Sequence, residues 1–306
     1  MRVSRSVLAV PASEWKMIEK GSLSGADLFF LDLEDAVASG SKASARVNVI
    51  RALEELDWHD RPTFYRINAL DTPHFYRDVI EIVEEAGDRL DLILVPKVER
   101  PGNLHALDIL LTSVELNVGL EPGKIKLEAQ IETAEGLVNI DGIARSTSRL
   151  EALVFGPGDY AASIRMPQTS VGTMDEWDDS YPGHRFHYAM HRIVVAARAA
   201  GLRAIDGPVA DYKDDEGLRK SCLRARSLGF DGKWCIHPGQ VETVNGVFSP
   251  TERELEWAKK VVSAYEEANV TGSGSISVDG QMVDAASIRM ARNTLDLARG
   301  AGMIRG

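Results

Sequence analysis

The sequence predicts an α/β chain folded as a (β/α)8 TIM barrel with a C-terminal helical lid, and three observations lead there. Short runs of Val, Ile, Leu and Phe alternate with longer amphipathic stretches as far as residue 246. The runs are apolar throughout rather than at every second position, as strands buried on both faces must be. Eight such strand–helix units match the size of one barrel. A doubly wound open sheet is the competing architecture, but no Gly-x-Gly-x-x-Gly follows the first strand.

The strand candidates, in order, are VLAVP (7–11), DLFFLDLED (27–35), TFYRIN (63–68), LILVPK (92–97), KLEAQIE (126–132), ALVFGPGD (152–159), RAIDGP (203–208) and GKWCIHP (232–238). Helical patterns follow them, among them SKASARVNVIRALEEL, TPHFYRDVIEIVEEAG, GNLHALDILLTSVEL and DDEGLRKSCLRARSLG. Pro11, Pro96, Pro157, Pro208 and Pro238 mark strand exits, because proline cannot extend a central strand. Residues 249–306 read differently. SPTERELEWAKKVVSAYEEA predicts a helix capped at Ser249, with Pro250 and Glu252 behind it. TGSGS (271–275) predicts a flexible link, and ISVDGQMVDAASIRMARNTLDLA a turn or short hairpin and then a helix. This tail is too small to stand alone and suits a cap or lid over a barrel, its own or a neighbour's. The division expected is a catalytic barrel over 1–248 and a lid segment over 249–306.

The 306 residues are 44% hydrophobic and 26% charged, an ordinary globular balance that excludes a disordered or collagen-like chain. Charged residues or proline break every apolar run before it could span a bilayer. The N-terminus lacks the long apolar core and cleavage site of a secretory signal. Two cysteines, Cys222 and Cys235, make no disulfide framework, so a cytoplasmic protein is expected. A net charge of −11 argues against nucleic acid or an anionic membrane as partner, and leaves room for a small anionic ligand on a local basic site.

Barrel enzymes place their chemistry at the C-terminal ends of strands. Asp32, Glu34, Asp35, Arg66, Asn68, Lys97, Glu132, Asp159, Asp206 and His237 stand there. Charges inside apolar runs are expensive unless paired or bound to an ion, so the alternative is structural ion pairing across the mouth. Glu132 and Asp159 end adjacent strands and can converge. Asp159 follows Gly158 in GPGDY, where small residues let the backbone approach a ligand. Two carboxylates without a His or Cys cluster suit a hard cation, Mg2+ before Zn2+; Glu132 could instead cap the next helix. Arg66 offers forked donors to a carbonyl or carboxylate, or a salt bridge to Glu34 or Asp35. His237 is a possible general base or a packed histidine. His184, His187 and His191 have zinc-face spacing, but DEWDDSYPGHRFHY, which holds the first two, reads as irregular, and 163–187 reads as a long loop near the substrate. Trp177, Trp234 and Trp257 read as packing residues.

The strings RSVLAVPAS, LDLEDAV, YRINALDTPHFYRDV, LILVPKVE, IETAEGLVNIDGIA, GPGDYAAS, DGPVADYKDDEG and GKWCIHPGQV occur in that order. Together they resemble the citrate lyase β-subunit-like family of the HpcH/HpaI aldolase superfamily, and within it the malyl-CoA lyases most closely. The likeness reaches the C-terminal VDGQMVDAASIRMAR. It implies a (β/α)8 barrel with a lid, a homotrimer or hexamer, and Mg2+ (or Mn2+) chemistry on a carbon–carbon bond beside a coenzyme A thioester. It implies that Glu132 and Asp159 hold the metal and that Arg66 contacts the 2-oxo acid and the enolate. Asp284 of MVDAAS then matches a lid acid/base that reaches a neighbouring subunit's site. Asp35 and Lys97 match supporting polar positions at the mouth, and Lys20 of IEKG a lysine that helps hold CoA phosphates. One departure stands out: Glu14 occupies the place of an arginine that contacts CoA in the family, and Lys16 could compensate one turn on. The implied reaction is malyl-CoA cleavage to glyoxylate and acetyl-CoA, or that of a methylated analogue. The alternatives are a malyl- or citramalyl-CoA thioesterase, a citrate lyase β subunit acting on an acyl carrier, and a non-catalytic binding barrel.

Overall fold

The computed structural model describes residues 2–168, 170–173, 175, 177–178, 184–271 and 276–304. They form two compact units, Ser4–Asn245 and Met1–Val3 with Gly246–Gly306.

In the larger unit a closed parallel barrel runs in chain order through β1 (Ser6–Pro11), β2 (Leu28–Asp32), β3 (Phe64–Arg66), β4 (Leu92–Val95), β5 (Lys126–Ile131), β6 (Leu150–Phe155), β7 (Arg203–Asp206) and β8 (Gly232–Cys235). Val7 of β1 lies opposite both Leu28 and Trp234, so the sheet has no free edge. The seam is tight: a Cβ on Gly232 would run into the Ser4 and Arg5 carbonyl oxygens. Val7, Phe30, Phe64, Leu94, Val154 and Trp234 meet in the core. Most of the expected strands overran by a few residues, because the polar residues at each exit turn out of the ladder. In β2 the Asp32 carboxylate accepts the Glu34 N–H at 2.9 Å and the Ala36 N–H at 3.3 Å, which bends DLED away from the sheet.

Around the barrel lie α1 (Trp15–Ser22), α2 (Lys42–Glu55), α3 (Phe75–Ala86), α4 (Pro101–Asn117), α5 (Ala134–Val138), α6 (Ile140–Ile143), α7 (Pro157–Ser163), α8 (His187–Ala200), α9 (Asp215–Leu228) and α10 (Val241–Phe248). Val79, Ile82, Val83 and Ala86 form the buried stripe of α3, as its periodicity requires. Left-handed Gly201 and Gly229 end α8 and α9.

Charged groups inside the barrel wall are paired. Arg203 donates to Glu128 at 2.7 Å and to Ser4 at 2.6 Å, and Lys233 donates to Asp206 at 2.5 Å. Asp206, a strand-end candidate, is therefore the structural counter-ion of Lys233, since neither could be buried alone. Cys222 and Cys235 are buried free thiols, and burial pushes the Cys222 thiol up to about 11.

In the smaller unit α11 (Glu252–Thr271) is followed by β9 (Ile276–Val278), β10 (Gln281–Val283) and α12 (Ala285–Gly300). The cap of α11 is Thr251 rather than Ser249. Thr251 Oγ1 accepts the Glu254 N–H at 3.2 Å, and Glu254 accepts the Thr251 N–H at 2.7 Å, a capping box two residues beyond the expected one. β9 and β10 pair antiparallel through Asp279 and Gly280, both with positive φ (49° and 80°), as a two-residue Asp-Gly turn requires. Leu255, Val261, Val278, Val283, Ile288 and Leu295 pack into a small core of their own. Of the expected link at 271–275, only Thr271 lies within the described residues, as the last residue of α11. Among the described residues no helix is long and apolar enough to cross a membrane.

Candidate active site

The strand exits on one rim bring their side chains together. Asp32 ends β2 and Arg66 ends β3, and the two are register partners. The fork of Arg66 closes on Asp32, Nε to Oδ1 at 2.7 Å and Nη2 to Oδ2 at 2.6 Å. Arg66 Nη1 reaches Glu34 Oε2 at 2.9 Å as an ion pair without an aligned hydrogen bond, and Gln130 Oε1 at 3.4 Å. Of the two expected carboxylate partners only Glu34 engages Arg66; Asp35 is exposed and faces Lys97 Nζ at 3.7 Å. Burial opposes ionisation of Asp32, yet Arg66 outweighs it and holds the carboxyl below its ordinary value. Burial likewise opposes the Arg66 charge, and Asp32, Glu34 and Glu132 more than restore it.

Glu128, Gln130 and Glu132 alternate along β5 and its exit, so they share a face. Glu132 is 1% exposed. Its Oε1 accepts the Lys97 N–H at 2.8 Å and its Oε2 accepts Gln130 Nε2 at 2.6 Å. Lys97 delivers that N–H from a left-handed backbone, φ 51°, and sends its Nζ to Glu34 Oε1 at 2.5 Å. Burial first, and then the charges of Glu34 and Asp159, push the Glu132 carboxyl up to about 8 against the pull of Arg66. Burial also raises Glu34 despite Arg66 and Lys97.

Asp159 sits in the first turn of α7, behind Gly156 and the N1 proline Pro157. Its carboxylate has no hydrogen-bond partner among the described residues and faces the same cavity as Glu132. That cavity, of about 490 Å³, also has Asp32, Asp35, Arg66 and Gln130 in its wall. Two carboxylates on one cavity wall, Glu132 and Asp159, are the hard oxygen donors that fit a cation such as Mg2+. Among the described residues no three His, Cys or acidic groups converge as a ready-made metal cage, so such an ion would complete its shell with water and substrate oxygens.

A Cβ on Gly156 would collide with Glu132 Oε2, so the glycine is what lets the β6 exit pass this carboxylate. Gly156→Ala is expected to displace Glu132 and weaken Mg2+ binding at least about tenfold, by isothermal calorimetry, with little change in the circular dichroism spectrum.

Several sequence candidates lie elsewhere. Lys20 is exposed in the last turn of α1 and is not among the residues around the cavity. His237 caps a turn, its Nδ1 accepting the Gly239 N–H at 3.1 Å, and stacks on Tyr212 at 4.7 Å; a turn cap replaces the possible general base. The three histidines form no metal face: His184 Nε2 meets Arg224 Nη1 at 2.7 Å, and His187 stacks on His191 at 5.7 Å. Trp177, expected to pack, is 45% exposed, whereas Trp234 lies inside the barrel. Asp284 belongs to the smaller unit. It caps α12, accepting the Ala286 and Ser287 N–H groups at 3.0 and 2.9 Å, and the Ser287 bonds keep its carboxyl below the ordinary value. Sequence reasoning passed over Gln130, which joins Glu132 to Arg66. The alternation of KLEAQIE carried the signal.

Known proteins resemble this chain along nearly its whole length. The L-malyl-CoA/beta-methylmalyl-CoA lyase of Cereibacter sphaeroides is 40% identical over 296 residues, 95% of this chain and 93% of that protein. The citrate lyase subunit beta of Leuconostoc mesenteroides subsp. cremoris is 38% identical, over 97% of this chain and 94% of that protein. The crystal structure of the protein CitE from Mycobacterium tuberculosis in complex with magnesium, acetoacetate and coenzyme A superimposes with a TM-score of 0.76 at 28% identity, covering 98% of each chain. The HpcH/HpaI aldolase/citrate lyase model matches residues 5–238, nearly the whole barrel with the rim on which Arg66, Glu132 and Asp159 meet, and the chain belongs to that family.

Proposed function

We propose that the protein is a Mg2+-dependent acyl-CoA lyase that cleaves malyl-CoA to glyoxylate and acetyl-CoA, or a methylated analogue, and runs the condensation in reverse. One observation carries this reading. Glu132 and Asp159 face one cavity beside the Arg66 fork, and burial, with the charges of Glu34 and Asp159, pushes Glu132 up to about 8. The similarity to the C. sphaeroides lyase supports the substrate class.

Glu132 and Asp159 would hold Mg2+, or Mn2+ in its place, which when bound supplies a Lewis acid that polarises the oxygens of the 2-oxo acid. Arg66, unable to swing because Asp32 clamps two of its nitrogens, presents fixed positive charge where oxyanion character develops. Lys97 and Gln130 hold the Glu132 carboxylate in place from two sides. Asp284 is the acid/base, exchanging a proton with the substrate hydroxyl or the acetyl carbon. Its capping bonds favour the carboxylate that must accept the proton. Residues 1–248 act as the catalytic barrel and 249–306 as the lid, given to a neighbouring subunit's site in a trimer or hexamer. Lys20, with Lys16, holds the CoA phosphates, and Asp35 and Gly158 border the substrate. The reaction belongs in the cytoplasm, with small molecules as its partners.

A second reading is a citrate lyase β subunit acting on a carrier-bound acyl group. It draws on the 38% identity to the Leuconostoc protein and on exposed Glu14 at the start of α1, which would repel a CoA phosphate. A panel of malyl-, β-methylmalyl-, citramalyl- and citryl-CoA with Mg2+, scored separately for 2-oxo acid and free CoA, decides. Glyoxylate in step with acetyl-CoA supports the lyase. Free CoA without acetyl-CoA marks a thioesterase, and silence on every free thioester favours the carrier-bound substrate. Asp284→Asn is expected to lose about a hundredfold or more in kcat, and near-normal turnover would remove Asp284 from the mechanism.

A further inference from the structure

Val171 belongs to the stretch between α7 and α8 and is one of the residues that line the cavity. Val171 borders the same cavity as Glu132 and Asp159. Its methyl groups press on Gly158, the neighbour of Asp159: a Cβ built on that glycine would lie 3.1 Å from one and 3.6 Å from the other. The backbone behind it is fastened. The Ala210 N–H donates to the Val171 carbonyl at 2.9 Å. Gly172 takes φ +70° and approaches the Pro208 carbonyl so closely that a Cβ there would collide with it. Val171 is therefore an apolar wall that cannot swing clear, set against an otherwise acidic corner. Val10, Trp234 and Ile236 also line the cavity, and Val171 is the aliphatic residue whose methyl groups lie against Gly158, next to Asp159.

We propose that Val171 is a specificity-determining residue, which sets how large a substituent a 2-oxo acid may carry when its oxygens lie between Glu132 and Asp159. The inference rests on the lyase reading for its choice of ligand. A hydrogen on that carbon passes Val171, and a methyl or ethyl group meets its side chain. An apolar wall discriminates one methylene by about ten- to two-hundredfold.

The test uses the full chain loaded with Mg2+. Calorimetry gives the affinities of glyoxylate, pyruvate and 2-oxobutyrate, and condensation of each with acetyl-CoA gives kcat/KM. Val171→Ala is expected to raise the preference for pyruvate over glyoxylate about tenfold, and Val171→Leu to lower it by a similar factor, in both measurements. Gly172→Ala, which strains the fastening without entering the cavity, shifts the preference the same way as Val171→Ala. Ratios within about twofold of the parent in both Val171 variants overturn the proposal. So does a parent protein that binds none of the three acids. If the acids bind but no condensation occurs, the lyase reading falls, and the affinity ratios alone decide on Val171.

Discussion

Replacing Glu132 with Gln is expected to yield a protein that is more stable than its parent without metal and is catalytically dead. The carboxyl is buried, and Glu34 and Asp159 add negative charge around it, which is why it protonates at about 8. A neutral amide of the same shape relieves that repulsion. It keeps the Lys97 N–H as a donor to its oxygen, while Gln130 can turn its own amide to match at the cost of the long 3.4 Å bond from Arg66. The gain should appear as several degrees in the metal-free melting temperature. The pH dependence has a definite sign. The ordinary value is 4.5, so between there and about 8 the folded protein binds the proton that the unfolded chain has released. Stability of the metal-free parent must therefore decline as pH rises through that window, and the Gln variant must lack this component of the decline. Mg2+ takes the deprotonated group, so its stabilising shift in the parent grows between about pH 6 and pH 8 and vanishes in the variant. Turnover should drop on the order of a thousandfold or more, the several kcal/mol that a Lewis acid contributes. Melting curves at three pH values, with and without Mg2+, check all of this. A Gln variant that still shows the Mg2+ shift would take Glu132 out of the metal site.

Arg66→Ala is expected to damage fold and function together, and the two losses can be separated. Asp32 is buried and its carboxylate depends on the Arg66 fork, so truncation leaves an unpaired interior charge at a cost of about 3–5 kcal/mol. Removing the paired partner as well, in the double variant Asp32→Leu with Arg66→Leu, should recover most of the denaturation midpoint, because a buried ion pair exchanged for apolar groups is often neutral. Turnover should stay at least about a hundredfold down in both, since neither presents a cation to the developing oxyanion. Arg66→Lys keeps the charge but loses the fork, and should fold well with intermediate activity. Recovery of turnover in the double variant would assign Arg66 to architecture alone.

The barrel is legible in the chain because strands buried on both faces must be apolar at every position and the helices between them at every third or fourth. DLFFLD and LILV leave no other reading. The carboxylate pair is legible because strand order makes β5 and β6 neighbours, so Glu132 and Asp159 exit side by side. What pairs with what across the mouth is another matter. Asp32, Glu34 and Asp35 sit within four residues, and only the turn after β2 decides that the first two take Arg66 while the third looks outward. Gln130 escaped notice because an amide in a strand carries no charge to betray its neighbours. The cap of α11 slipped by two residues because SPTERE offers two hydroxyls, Ser249 and Thr251, each with a glutamate three residues on, and the box forms on Thr251 with Glu254.

Lys97 bears a consequence for how such a rim can diversify. One residue there carries two independent errands: its peptide N–H belongs to Glu132 and its ammonium to Glu34. The peptide needs a positive φ, which glycine or asparagine accepts readily and a β-branched residue resists. Descendants that exchange Lys97 for either permissive residue would shed a positive charge from the mouth yet leave the Glu132 anchor where it is. The position thus behaves as a tuning screw, through which an ancestral scaffold can revise its electrostatics without redrawing its ironwork.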